Sequence, residues 1–359
     1  MAFNLPHTAF FNMKIKNRFT PALYLALLGH SSLVPAAPGW NALANGLNGG
    51  VSAVVVSGTD VYVGGAITDA GGDPDADYIA RWDGSAWHAV APGLNNAVRA
   101  IAVSGTDIYV GGQFTDAGGN TSADRIARWD GAAWQPLGSG VTSTVWAIAV
   151  SGSDVYIGGD FVNAGGLAPA DYIARWNGSA WNALGGGLNN WVRGITISGT
   201  DLYVAGNFTD AGGNTNADGV ARWNGSSWNA LGTGGMSFWA YTVVVSGSNI
   251  YVGGGFLNAG GNPNADYIAR FDGSSWHALG TGTGGFVYSL ATDGGDLYVG
   301  GSFFNAGNNP NADNIARWTG TSWQALGNGL ETVKALAILD NNVFVGGDFL
   351  DGNGNGNMD

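Results

Sequence analysis

Two stretches of the chain, "NTNADGVARWNGSSWNALGTG" (Asn214–Gly234) and "NPNADYIARFDGSSWHALGTG" (Asn262–Gly282), carry nearly the same wording. An arginine followed by Trp or Phe heads this phrase at Arg81, Arg128, Arg175, Arg222, Arg270 and Arg317, in steps of 47, 47, 47, 48 and 47 residues. A unit that recurs at fixed spacing generally cannot bury its apolar face alone and stacks on its neighbours. Each period holds four strand-like pieces, as in "VRAIAVSG" (Val98–Gly105), "DIYVGGQF" (Asp107–Phe114), "RIARWD" (Arg125–Asp130) and "AAWQPLG" (Ala132–Gly138). All are rich in β-branched or aromatic residues and bounded by turn residues. "SGTD" between the first two pieces and "DGS" or "NGS" between the last two are hairpin sequences. The Gly/Asn/Asp-rich "TDAGGNTSAD" (Thr115–Asp124) reads as a longer loop between the second and third. The period thus predicts an antiparallel four-stranded meander, the size of one β-propeller blade.

Composition agrees. The 359 residues include 63 glycines and a single glutamate, Glu331, while Val, Ile, Tyr, Trp and Thr abound. That balance favours strands and tight turns over helices. With no cysteine, disulfides, zinc-thiolate sites and cysteine nucleophiles are excluded. A net charge of -13 argues against nucleic acid as a partner, which needs clustered Lys and Arg. Outside the repeat, Lys14, Lys16 and Arg18 precede the apolar "FTPALYLALL" and the small-residue stretch "VPAAPGW", the three-part layout of a secretory signal peptide. Residues 1–36 are therefore read as a leader cleaved near Ala36, and residues 37–359 as a secreted or cell-surface domain with no transmembrane helix after cleavage.

"LYVGG" (Leu297–Gly301), "NIARW" (Asn314–Trp318) and "SWQALG" (Ser322–Gly327) resemble a kelch repeat, with a glycine pair closing the second strand and spaced aromatics in the third and fourth. The chain from Trp40 to Asp359 is similar to the galactose-oxidase-type kelch propellers, and closer still to secreted bacterial and fungal cortical polarity-marker repeats. It departs from them in placing Trp where kelch repeats commonly have Tyr. The resemblance implies a fold and leaves the function open.

Seven second-strand aromatics (Tyr62, Tyr109, Tyr156, Tyr203, Tyr251, Tyr298, Phe344) and seven fourth-strand tryptophans (Trp40, Trp87, Trp134, Trp181, Trp228, Trp276, Trp323) face only six Arg-Trp/Phe strands. "FLDGNGNGNMD" (Phe349–Asp359) aligns with the loop "FFNAGNNPNAD" (Phe303–Asp313), so the last copy stops before its third strand. The expected architecture is an all-β, seven-bladed β-propeller of four-stranded antiparallel blades with an incomplete closing blade, in which N-terminal strand four meets C-terminal strands one and two. A six-bladed ring with spare ends is the alternative.

Each repeated arginine has an acidic residue four positions earlier, as Asp77 before Arg81 and Asp313 before Arg317. A pair present in every complete blade reads as a scaffold ion pair between loop and third strand rather than as catalysis, which needs different groups in different roles. Galactose-oxidase chemistry fails for want of cysteine. Of the histidines, His7 and His30 fall in the leader, and His88 and His277 occupy equivalent outer-strand positions on different blades. A sialidase-like site is unsupported, and no catalytic residue is assigned. "DGNGNGNMD" places Asp351, Asn353, Asn355 and Asp359 at calcium-loop spacing, although the segment is equally the last copy of the blade loop, for which a plain Gly/Asn turn is the simpler reading. No other cofactor is expected.

The residues that break the repeat point to a binding surface. Three of the fifteen tryptophans, Trp146, Trp191 and Trp239, lie outside the two repeated positions and fall in connectors leading into a first strand. Just inside the first strand the copies carry Ser52, Arg99, Trp146, Arg193, Tyr241, Tyr288 and Lys334. Varied aromatic and cationic groups on a constant frame could stack on sugar rings or anchor a protein; they could equally plug the channel mouth. Arg99, Trp146, Trp191, Arg193, Trp239, Tyr241, Tyr288 and Lys334 are the candidate ligand-binding residues of a glycan- or protein-binding adhesion module. An extracellular carbohydrate-active enzyme and a purely structural surface repeat are the other readings.

Overall fold

The repeat folds as its turn residues dictate. The inner strand Val98–Ser104 returns through a two-residue turn into the second strand Asp107–Gly112. Gly105 takes φ 60° there, the left-handed value that such hairpins ask of their first loop residue. The third strand (Ile126–Trp129) and the outer strand (Trp134–Pro136) complete an antiparallel sheet. The computed structural model describes residues 11–14, 39–44, 46–236, 239–327 and 329–348. Within them, six such sheets span residues 51–89, 98–136, 145–182, 192–230, 240–278 and 286–325, here blades 1 to 6. Each inner strand packs on the next, and the last, Val333–Leu339, packs on the first, Val51–Ser57, closing a ring. The protein is an all-β propeller.

The seventh sheet is partial and composite. Its inner and second strands are Val333–Leu339 and Asn342–Gly347, and its outer strand is the two-residue Asn41–Ala42. The third position, expected to be vacant, holds Phe11–Lys14, paired with the second strand on one side and with Asn41–Ala42 on the other. The expectation failed because residues 1–36 were set aside as a leader. An open edge of unpaired backbone groups recruits whatever extended segment is tethered nearby, and Asn41–Ala42 tethers this one. Most of the leader, including the basic-apolar run after Lys14, lies outside the described residues. A chain starting at Gly39 is expected to lose about 1 kcal/mol for each ladder bond forfeited, read as a lower urea midpoint than that of the full chain. Equal midpoints would mean that the strand contributes nothing.

The glycine pair closing each second strand has two separate tasks. A Cβ on Gly111 would stand 2.5 Å from Cγ1 of Val145 in the next blade, and one on Gly112 would stand 2.3 Å from the Ala97 carbonyl of its own blade. The first glycine admits the neighbouring blade, and the second admits the segment leading into the inner strand. Blade 4 has Ala205 in the first place, and blade 5 has Ala240 at the inner-strand position where every other blade has a valine, Val287 in blade 6. The two alanines are buried in one cluster, one methyl gained against two lost.

The fourth-strand tryptophans pin blade to blade. Each of the seven donates its Nε1–H to a carbonyl just past the outer strand of the preceding blade, at 2.7–3.2 Å, from Trp87 on Leu43 to Trp40 on Leu326. Within each of the six complete blades the ring also meets the third-strand Trp or Phe at a centroid distance of 5.2–5.5 Å.

The repeated arginines do not pair with the aspartates four positions earlier. Arg81 bonds Asp60 at 2.8 Å, and Arg128, Arg175, Arg222 and Arg317 bond Asp107, Asp154, Asp201 and Asp296 at 3.0–3.5 Å. Arg270 donates to Asn249 at 3.0 Å. The register sets Arg81 opposite Tyr62, so Asp60 is its diagonal neighbour on one face, whereas Tyr78 at φ 63° turns the chain between Asp77 and Arg81. Asp77 and Asp313 instead accept the backbone N–H of Asp69 and Asn305, at 3.0 and 2.7 Å, and close the loop. Their scaffold role stands, with other partners.

Candidate functional site

Every inner strand slips its register by one residue near its start, between Val98 and Ala100 in blade 2 and at the matching place elsewhere. The skipped residues are Ser52, Arg99, Trp146, Arg193, Tyr241, Tyr288 and Lys334. A bulge leaves its extra residue out of the ladder and re-aims the side chain. Here seven bulges aim seven side chains of five types at one place, a cavity of about 600 Å³ at the mouth of the central channel. All eight candidate residues line it, together with Ser52, Thr332 and Asp348. Trp146 lies inside its inner strand, Val145–Ser151, rather than in the connector, while Trp191 and Trp239 immediately precede theirs.

The walls differ in chemistry. On blades 4 to 6 the rim carries Trp191, Trp239 and Phe286, which are 39%, 44% and 41% exposed. Behind them runs an arc of rings: Trp239 on Tyr241 at 6.4 Å, Tyr241 on Tyr288 at 5.6 Å, and Phe286 stacked on Tyr288 at 6.3 Å. The equivalent rim residues elsewhere are Gly50, Ala97, Thr144 and Thr332, leaving that side low. Blades 2 to 4 contribute cations around an indole: the guanidinium of Arg193 lies 3.8 Å from the Trp146 ring centroid and 5.2 Å from that of Trp191, and Arg99 lies 5.4 Å from Trp146. Lys334 is ion-paired to Asp348.

A second ring of varied residues supports the first and was missed in the sequence. Fourteen positions after each bulge stand Ala66, Gln113, Asp160, Asn207, Gly255, Ser302 and Asp348, and that offset is constant in every copy. Gln113 accepts from Arg99 at 3.0 Å, and Asp160 accepts the Trp146 indole N–H at 2.7 Å. Backbone bonds from this ring to the rim, such as Asn207 N–H to the Trp191 carbonyl at 2.9 Å, hold both in place. Phe286 was missed too, although it occupies the same repeat position as Trp191 and Trp239.

Burial lowers the pKa of Arg99 and, in a setting that Asp160 partly offsets, of Arg193. Burial raises the pKa of Tyr241 and Tyr288. His88 and His277 each bond the aspartate of their own hairpin, Asp83 and Asp272, at 2.6 Å, on blades 1 and 5. Among the described residues no group of three His, Asp or Glu side chains is placed to hold a metal ion. Asp351, Asn353, Asn355 and Asp359 lie outside the described residues.

No family profile and no curated protein sequence matches the chain. Solved structures do. The computationally designed Ika8 protein aligns with TM-score 0.51 at 15% identity over 84% of this chain and 94% of its own. The WD40 β-propeller domain of Doa1 aligns with TM-score 0.55 at 12% identity over 85% and 92%. The extracellular domain of a putative one-component system from B. thetaiotaomicron aligns with TM-score 0.56 at 13% identity over 86% of this chain, which spans 38% of that one. Identities this low establish shared architecture and nothing about ligand, so the chain stands as a β-propeller.

Proposed function

We propose that this propeller is a binding module of the kelch-like kind that takes a glycan at the channel mouth. One observation carries the reading: the residues that depart from the repeat are those that bulges direct into a single cavity. Its volume, about 600 Å³, suits a small ligand, and exposed ring faces beside hydrogen-bonding groups suit the apolar faces and hydroxyls of sugars. Packing alone would not require the mouth to vary while the strands and hairpins of the scaffold repeat. Turnover is less well supported than binding. Glycoside hydrolysis by the usual route needs two carboxyl groups, whereas Asp348 is the single one among the described lining residues and is engaged by Lys334. Replacing Trp146, Trp191 and Arg193 together by Ala is expected to weaken binding on a glycan array by about 100-fold or more, since two or more hot-spot contacts go at once. The melting temperature should stay near that of the parent. Normal binding by the folded triple variant would remove the mouth as the site.

A protein partner is the second reading, favoured by one observation. Val162, Leu257 and Phe304 are exposed on the loops of this same face, Phe304 to 65%. Export is also proposed, from the basic, apolar and small-residue order of Lys14 to Ala37, and one structural neighbour is itself an extracellular domain. Intact-mass measurement on secreted protein is expected to show a chain beginning near Ala37. Such a chain lacks Phe11–Lys14, so a mass that retains Lys14–Leu28 would refute cleavage and leave the composite sheet whole.

A further inference from the structure

Arg193 is the least explained residue of the mouth. Its guanidinium lies between two indoles, its Nε is buried with no hydrogen-bond partner, and among the described residues no protein acceptor matches its remaining donors. Arg99 beside it is better placed, bonding the neutral Ser52 Oγ at 2.9 Å and Gln113 Oε1 at 3.0 Å, but has no carboxylate partner. The repeated arginines of the blades, by contrast, bond carboxylates in five of six cases. A guanidinium whose Nε is buried without an acceptor carries a desolvation cost. Nothing in the packing asks for it, since the bulge position elsewhere accepts Ser52 or Tyr241.

Charge points the same way. The chain carries -13 overall, yet the cavity lining holds Arg99, Arg193 and Lys334 against Asp348, and the site stays net positive when Asp160, bonded to Trp146, is counted as well. A cationic concavity on an acidic body attracts anions to its mouth. With its guanidinium over the Trp146 ring, Arg193 has Nη donors to offer, and arginine can take a carboxylate or sulfate through two parallel bonds. The aromatic rim of Trp191, Trp239 and Phe286 adjoins it, with ring faces open to a sugar.

We propose that the ligand is an acidic oligosaccharide, its carboxylate or sulfate held by the Nη donors of Arg193 with Arg99 as the second cation, and its sugar rings laid against the Trp191–Trp239 side. This rests on the binding reading above and gives it a chemical class. An acidic peptide could use the arginines but would leave the ring faces of the rim without a matching planar or puckered face, so the sugar is favoured.

The test titrates the full chain by calorimetry with trigalacturonate, the neutral trisaccharide made by reducing its carboxyl groups, a sulfated galactose trisaccharide and a hexa-aspartate peptide, alongside an array of matched neutral and anionic glycans. One anionic sugar class is expected to bind about 10- to 100-fold tighter than its neutral counterpart, and the arm that does so identifies carboxylate or sulfate. Arg193→Met, which keeps the aliphatic stem on Trp146, should weaken the anionic sugar by a much larger factor than the neutral one and so remove most of that preference. Arg193→Lys, which keeps the charge but not the fork, should lose an intermediate amount, and it carries the test should Arg193→Met melt early. Equal binding of neutral and anionic sugars, an unchanged preference in both variants, or binding of the peptide with no sugar would each overturn the proposal. Neutral sugars binding alone leave the glycan reading intact and sink only its acidic class; an array on which no sugar binds sinks both.

Discussion

Trp276→Ala should unfold the protein at a markedly lower urea concentration, with a loss of about 3–5 kcal/mol. The indole is 7% exposed and packs with Leu231, Ala259 and Phe271 in one cluster, so truncation opens a cavity walled by two blades. It also removes the Nε1–H that meets the Leu231 carbonyl at 2.8 Å, which leaves that carbonyl unpaired. Trp276→Phe separates the two effects: most apolar area stays, and the unpaired carbonyl alone should cost about 1–3 kcal/mol. Far-UV circular dichroism follows both, since the other tryptophans would obscure a fluorescence signal. If Trp276→Ala shifts the midpoint by less than the Phe variant, the interblade pin is not what holds neighbouring blades together.

Gly206→Ala, a single methyl, should damage both stability and the mouth. The added Cβ would lie 2.0 Å from the Trp191 carbonyl oxygen, and the obstruction is backbone, which cannot swing aside. Relief requires the segment leading into blade 4 to move, breaking the 2.9 Å bond from Asn207 N–H to that same carbonyl and shifting Trp191 out of the rim. The overpacking is expected to cost about 1–3 kcal/mol, and glycan binding should fall with it. Gly186→Ala is the control, because nothing lies within 4 Å of its Cβ position, and it should stay within about 0.5 kcal/mol of the parent. Similar losses in both variants would show that the effect is general to glycine replacement and not a close approach.

The residues of the mouth were legible because they violate a rule the rest of the chain obeys. Ser52, Arg99, Trp146, Arg193, Tyr241, Tyr288 and Lys334 occupy one repeat position without a common residue type, which marks the position before any coordinates. Their orientation does. Strand alternation alone cannot tell which face a side chain takes where the ladder slips, and the register shift that aims them inward, as between Val192 and Gly194, leaves no motif in the sequence. Gln113, Asp160 and Asp348 were readable at their constant offset, since a hairpin sets the end of the second strand beside the start of the first, but their bonds to the bulge side chains follow only from the register shift.

What the sequence by itself determined is everything that depends on one blade at a time: the period, the four strands, the hairpin turns and the all-β class. Those follow from local alternation and turn chemistry, which act over a few residues. Only the tertiary structure decided what depends on the neighbouring blade or on the two ends meeting. Arg81 takes Asp60 rather than Asp77 because cross-strand register, not spacing along the chain, sets its neighbours. Ala205 and Ala240 compensate each other across a blade boundary that no local pattern marks. Phe11–Lys14 completes the last sheet because closing a ring brings the two ends of the chain together, a contact whose partners lie more than three hundred residues apart in sequence. Local propensity is silent about such a contact, because the free energy that forms it comes from pairing an edge that exists only once the ring has closed.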